Sequence, residues 1–285
     1  MPTQPPHSPP HQRLRKARGA LLLSLLLTEA TFAHDFLIWP DAFITSTNIE
    51  ARFRVGHSGQ FDPWPHGLTH VEVLTHYRPD SKQHALANKT ESGVRVDAAM
   101  RGTHMIALTS RWSKSELPAQ RFNDYVAKEG LQEIALHRTR NRLEDSVGKE
   151  RYSRRAKTLI QNGDAFDTYV TQPIGQTLEI VPAVNPYALG TGESLPITVL
   201  YQAKPLASAT VKIENLTISG VGVVEALSDA AGQVALPFAR HGDWKVTVVW
   251  GVPTDDAETI YETIFASLTF GFTDSANTVA RSTLE

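Results

Sequence analysis

The chain has 285 residues, no cysteine, and 28 Lys+Arg against 30 Asp+Glu, a formal net charge of −2. The missing thiols exclude disulfides, an N-terminal lipid on cysteine and thiolate metal sites, so any metal must be held by nitrogen and oxygen. A balance this close to neutral offers no basic face of the kind that nucleic-acid binding needs.

The first 33 residues read as an export signal. Arg13, Arg15, Lys16 and Arg18 precede the apolar run Ala20–Leu27, and small residues, Thr31 at −3 and Ala33 at −1, flank a cut. The run is too short to span a bilayer, which takes roughly 20 residues, and no other stretch approaches that length. Cleavage after Ala33 removes those four basic residues and Glu29, leaving 24 against 29, a net charge of −5. The expected location is the periplasm, with no membrane span after processing. The 252 remaining residues can bury one large core or two modest ones.

Residues 34–175 are expected to form a β-rich domain with one or two inserted helices. Ile49, Ala51, Phe53 and Val55 alternate with Glu50, Arg52 and Arg54, the period of a half-buried antiparallel strand. Further strands are expected from Val71 and over Arg101–Leu108. One helix is predicted over Pro118–Glu129, with Gly130 as terminator. A second is predicted over Lys149–Gln161, where Tyr152, Ala156, Leu159 and Ile160 recur at i, i+4, i+7 and i+8 and Gly163 follows. The polar segment Arg138–Lys149 reads as a loop.

From Gln176 the pattern changes to short strands: 177–181, 195–201, 210–216, 222–227, 233–237, 244–250 and 261–270. Turn signals such as Asn185-Pro186 and His241-Gly242-Asp243 separate them. Seven short strands at this spacing predict a second β-sandwich over residues 176–272. Residues 273–285 are polar and aperiodic and are expected to be a disordered tail. The fold class is thus mainly β, with two sandwich-like domains.

The chemistry starts at the cut. A mature chain beginning at His34 offers a free α-amine and an imidazole from one residue, a ready chelate for a late first-row metal. Nine of the eleven histidines follow residue 33. His70 and His76 lie six residues apart on one strand, roughly 20 Å, and cannot share an ion. His84 and His137 read as surface residues. His57, just after the Ile49–Val55 strand, continues the inward parity of Val55. His104 shares a strand face with Ile106 and Leu108. The expected metal ligands are therefore His34, His57 and His104, a nitrogen set that suits Cu(II) or Ni(II). Against this stands the common role of a strand histidine as a hydrogen-bonded core residue. The chain has no G-x-S-x-G elbow, no H-E-x-x-H and no glycine-rich phosphate loop, so no catalytic residue is assigned.

Several segments together resemble the DUF4198 family of exported bacterial proteins: His34-Asp35-Phe36-Leu37, Val55-Gly56-His57, Glu150-Arg151-Tyr152-Ser153-Arg154-Arg155-Ala156-Lys157, Asn185-Pro186-Tyr187-Ala188-Leu189 and Ala266-Ser267-Leu268-Thr269-Phe270. The resemblance covers residues 34–272. It implies a periplasmic component linked to nickel or cobalt uptake and singles out His34 and His57. One departure is Val249-Trp250-Gly251-Val252, where family members often carry a His-Met pair. The C-terminal domain resembles a transthyretin-like or Ig-like sandwich. The expected function is binding of a divalent transition metal (Ni, Co or Cu) and delivery to an inner- or outer-membrane transporter. One alternative is a metal-free module that binds a carbohydrate or an envelope protein through an exposed row of Phe61, Trp64 and Tyr77. The other is a copper-dependent oxidative enzyme using the same amine-led site.

Overall fold

A computed structural model describes Met1 and residues 35–272, except 58–59, 87–89, 91, 191, 218–221 and 257. The expected signal segment, His34 and the expected tail lie outside the described residues. The described residues from Asp35 to Phe272 form one compact unit.

In chain order the strands and helices are β1 (Asp35–Pro40), β2 (Ile49–His57), β3 (Gln60–Pro63), β4 (Val71–Tyr77), β5 (Gln83–Ala85), β6 (Gly93–Val96), β7 (Gly102–Ser110), β8 (Ser113–Leu117), α1 (Ala119–Lys128), α2 (Gln132–Arg140) and β9 (Gly148–Asn162). Then follow β10 (Leu178–Pro182), β11 (Ser194–Tyr201), β12 (Lys204–Pro205), β13 (Thr210–Asn215), β14 (Val224–Leu227), β15 (Gln233–Pro237), β16 (Asp243–Pro253) and β17 (Tyr261–Gly271). The chain is mainly β, as its alternating patterns predict, and the seven expected C-terminal strands are all present.

A nine-stranded sheet in the order β14-β13-β16-β17-β9-β7-β4-β5, with β8 beside β7 on β9, forms the middle layer. Its strands are antiparallel except for the pair β17–β9. One face is covered by β10, β11, β12 and β15, around Leu195, Ile197, Val246 and Leu268. Part of the other face is covered by β1, β2, β3 and β6, around Phe36, Ile38, Phe53, Trp64 and Ile160. The helices cover the rest, packing Phe122, Tyr125, Val126 and Ile134 on Val249, Tyr261 and Phe265. The two expected halves thus share one sheet: β9 precedes the predicted boundary at 175/176, and its neighbour β17 follows it.

The helix expected over Lys149–Gln161 is instead strand β9. Residues at i, i+4 and i+8 share a face on a helix, but they also share parity on a strand. Ala156 and Ile160 thus point into the core under β1 and β2, while Leu159 points to the opposite core. Two charged residues of β9, Arg155 and Lys157, are buried. Lys157 is sealed under the second sheet, with Nζ ion-paired to Glu179 and donating to the Ile180 carbonyl at 3.1 Å. A central strand buried on both faces loses its alternation. The second helix is α2, and its Arg138, expected in a polar loop, is buried with its guanidinium 5.0 Å over the Phe122 ring.

Candidate functional site

The first described residue of β1 is anchored from below. Asp35 pairs with Gly56 across the antiparallel β1–β2 ladder. Its carboxylate meets the Lys245 ammonium, which also lies 2.8 Å from Glu214 and 5.2 Å from the Phe61 ring centre. Burial of Lys245 disfavours its charge, but the two carboxylates outweigh that and hold its pKa above the ordinary lysine value. Gly56 is required by close approach: a Cβ there would lie 1.9 Å from the Gln60 carbonyl oxygen of β3. The Gly56-His57 step is therefore fixed where β2 turns into β3, and His57 pairs with Gln60 at the end of that ladder.

Around this end of the core lies a group of aromatic and basic side chains. The Phe36 and Trp64 rings meet edge to face at 4.8 Å. The Arg154 guanidinium sits 5.6 Å from the Phe36 ring centre. Beyond Trp64 stand His66 and His70, with ring centres 4.6 Å apart. His70 Nε2 shares a 2.9 Å hydrogen bond with Ser113 Oγ. Partial burial, then the neighbouring His70 and Arg154 charges, lower the His66 pKa, which favours its neutral, metal-competent form. The i, i+4 spacing of His66 and His70 flanks a short 3-10 turn, Gly67–His70. The sequence reading did not pair these two rings.

His104 lies elsewhere. It pairs with Ile160 of β9, six residues from Arg154 and so roughly 20 Å along the strand. It is fully buried, and both its nitrogens are engaged. Nε2 must donate to the Met100 carbonyl at 2.8 Å, because a carbonyl only accepts. Nδ1 therefore accepts from His76 Nε2 at 2.9 Å. Burial, then the His104 neighbour, pushes the His76 pKa down to about 4. The structure thus sets His57 beside the start of β1 and does not bring His104 to it. Among the described residues no group of three or more histidines, aspartates and glutamates is arranged to hold a metal ion; His34 is not among them.

The exposed aromatic row expected of a carbohydrate binder is not formed. Trp64 is buried in the core, Phe61 packs half-buried on Trp39, and Tyr77 packs against the second core. None of the described helices is long and apolar enough to cross a membrane.

No curated protein matches this chain. Among solved structures, the D0-D1 domain of Intimin aligns at 11% identity over 83% of this chain and 97% of its own, with a TM-score of 0.21. Dimeric latent PorU from Porphyromonas gingivalis aligns at 12% identity over 84% of this chain and 19% of its own, with a TM-score of 0.17. A family profile described as a domain of unknown function, DUF4198, matches residues 31–251, and on that match the chain belongs to the DUF4198 family.

Proposed function

We propose that this DUF4198 protein is an exported periplasmic protein that binds a divalent transition metal, nickel, cobalt or copper, through a mature N-terminal His34 together with His57, and that it hands the metal to a membrane transporter. The observation that carries the reading is the register of β1 on β2. The pairs run Ile38–Phe53, Leu37–Arg54, Phe36–Val55 and Asp35–Gly56. The ladder thus brings the start of β1 to the Gly56–His57 step. Phe36 of β1 meets Trp64, beyond which His66 and His70 lie. Asp35 itself is held by Lys245, which also pairs with Glu214. His104 plays no part in this ligand set.

The test is isothermal titration with Ni(II) and Cu(II) on protein whose first residue is verified as His34 by mass spectrometry. The expected result is one site that weakens by at least about tenfold in His34→Ala, in His57→Ala and in protein carrying one extra residue before His34, which turns the amine into an amide. Unchanged binding in all three would end the reading. Because amine and imidazoles must be deprotonated, affinity should fall as pH drops through about 8 to 6.5.

A further inference from the structure

Arg155 is the buried cation left over by the Tyr152-Ser153-Arg154-Arg155 segment of β9. It is 5% exposed. Its Nη1 donates to Ser153 Oγ and, at 3.0 Å, to the Arg154 carbonyl. The Trp112 ring centre lies 5.9 Å from its guanidinium carbon and 5.0 Å from that of Arg151. Arg151 is occupied: its Nε and Nη2 reach one oxygen of Glu262 at 3.0 and 2.6 Å. Arg155 has no carboxylate within 4.0 Å among the described residues. Two residues along the same face, Lys157 is more deeply buried and is paired with Glu179.

The contrast asks for an explanation. An unpaired buried charge is costly, and unlike a lysine an arginine cannot shed its proton to escape the cost. With Nη1 tied down, the free part of the guanidinium is the Nε–Nη2 edge. Neither atom donates to anything among the described residues, and neither is sealed from solvent. That edge is the side-on fork that matches two oxygens of a carboxylate. Trp112, 39% exposed, flanks it. Glu72 and Glu262 lie close enough to favour the charged guanidinium without pairing with it. Their field would repel a dianion more than a monoanion, which favours a carboxylate over a phosphate.

We propose that the free Nε–Nη2 edge of Arg155, flanked by Trp112, binds the carboxylate of a small anionic solute, at a site separate from the metal reading and independent of it. The test is isothermal titration of the full chain with sodium glucuronate, with glucose and inorganic phosphate as parallel arms. The expected result is saturable 1:1 binding of glucuronate, none of glucose, and phosphate weaker by at least about tenfold. Arg155→Lys keeps the charge but loses the fork and should weaken glucuronate by at least about tenfold. Arg155→Met should abolish binding; if that variant fails to fold, Trp112→Ala, an exposed change, should weaken binding several-fold. No saturable binding by the wild type up to about 10 mM would overturn the site. So would phosphate bound as tightly as glucuronate, or glucuronate affinity unchanged in Arg155→Lys.

Discussion

The molecule carries two histidine pairs at either end of β4, and their environments are opposite. His76 and His104 form a buried pair in which His104 has spent both ring nitrogens inside the protein. His66 and His70 stand near the surface beside Trp64, and the hydrogen bonds described for the pair involve only His70 Nε2. Inward facing, the property that sequence can estimate, selects His104 of the first pair as a ligand. Hydrogen-bond occupancy selects the second. A metal competes for the same lone pairs as a hydrogen-bond donor, so an imidazole already used in a dry core is a poor ligand even when its position is well fixed.

The largest expected effect comes from breaking the buried pair. His104→Ala strands the His76 donor and the Met100 carbonyl and leaves a cavity, so it should cost about 4 kcal/mol in denaturant unfolding. Next is acid. The folded pKa of His76 lies below its unfolded value, so the pair's contribution is present above pH 6.5 and is lost as pH falls toward about 4. The loss should approach about 3 kcal/mol. His76→Phe with His104→Leu should flatten the stability curve across that window, and a curve that keeps the wild-type slope would refute the assignment.

Glu150 sharpens the comparison with the opposite sign. Burial, offset in part by Thr263 and Tyr125, raises its pKa to about 7. A raised carboxyl contributes stability that is full below its unfolded pKa near 4.5 and is lost as pH rises through 7. That loss should be about 3 kcal/mol, and Glu150→Gln should remove it. Parallel falls in wild type and variant would count against it. The smallest stability effect belongs to the open pair: His66→Ala and His70→Ala should each shift unfolding by less than about 1 kcal/mol.

Much of the fold was legible because half-buried strands alternate, as in Ile49–Val55, and because α1 shows its apolar face at Phe122, Tyr125 and Val126. α2 was not legible: it buries only Ile134 and Arg138, too little to give a period. β9 was misread because its C-terminal half is covered on both faces and its Arg155 and Lys157 are buried. At the site, His57 was expected from parity with Val55, and its backbone lies at the end of β2, paired with Gln60. His66 and His70 were missed, since what joins them is a 3-10 turn and a tryptophan, neither of which has a periodic signature.

The placement of β17 has a consequence for how the chain is made. Although it is last in sequence, it occupies the centre of the nine-stranded sheet between β16 and β9. Until residues 261–271 leave the ribosome, β9 has an open edge, Tyr261 and Phe265 are missing from beneath the helices, and Leu268 and Phe270 are missing from the second core. Neither end of the polypeptide can settle first, and pairing across so many residues is slow. In a nascent chain built this way the central sheet stays incomplete through nearly the whole of synthesis, and it closes only when its final seam is sewn.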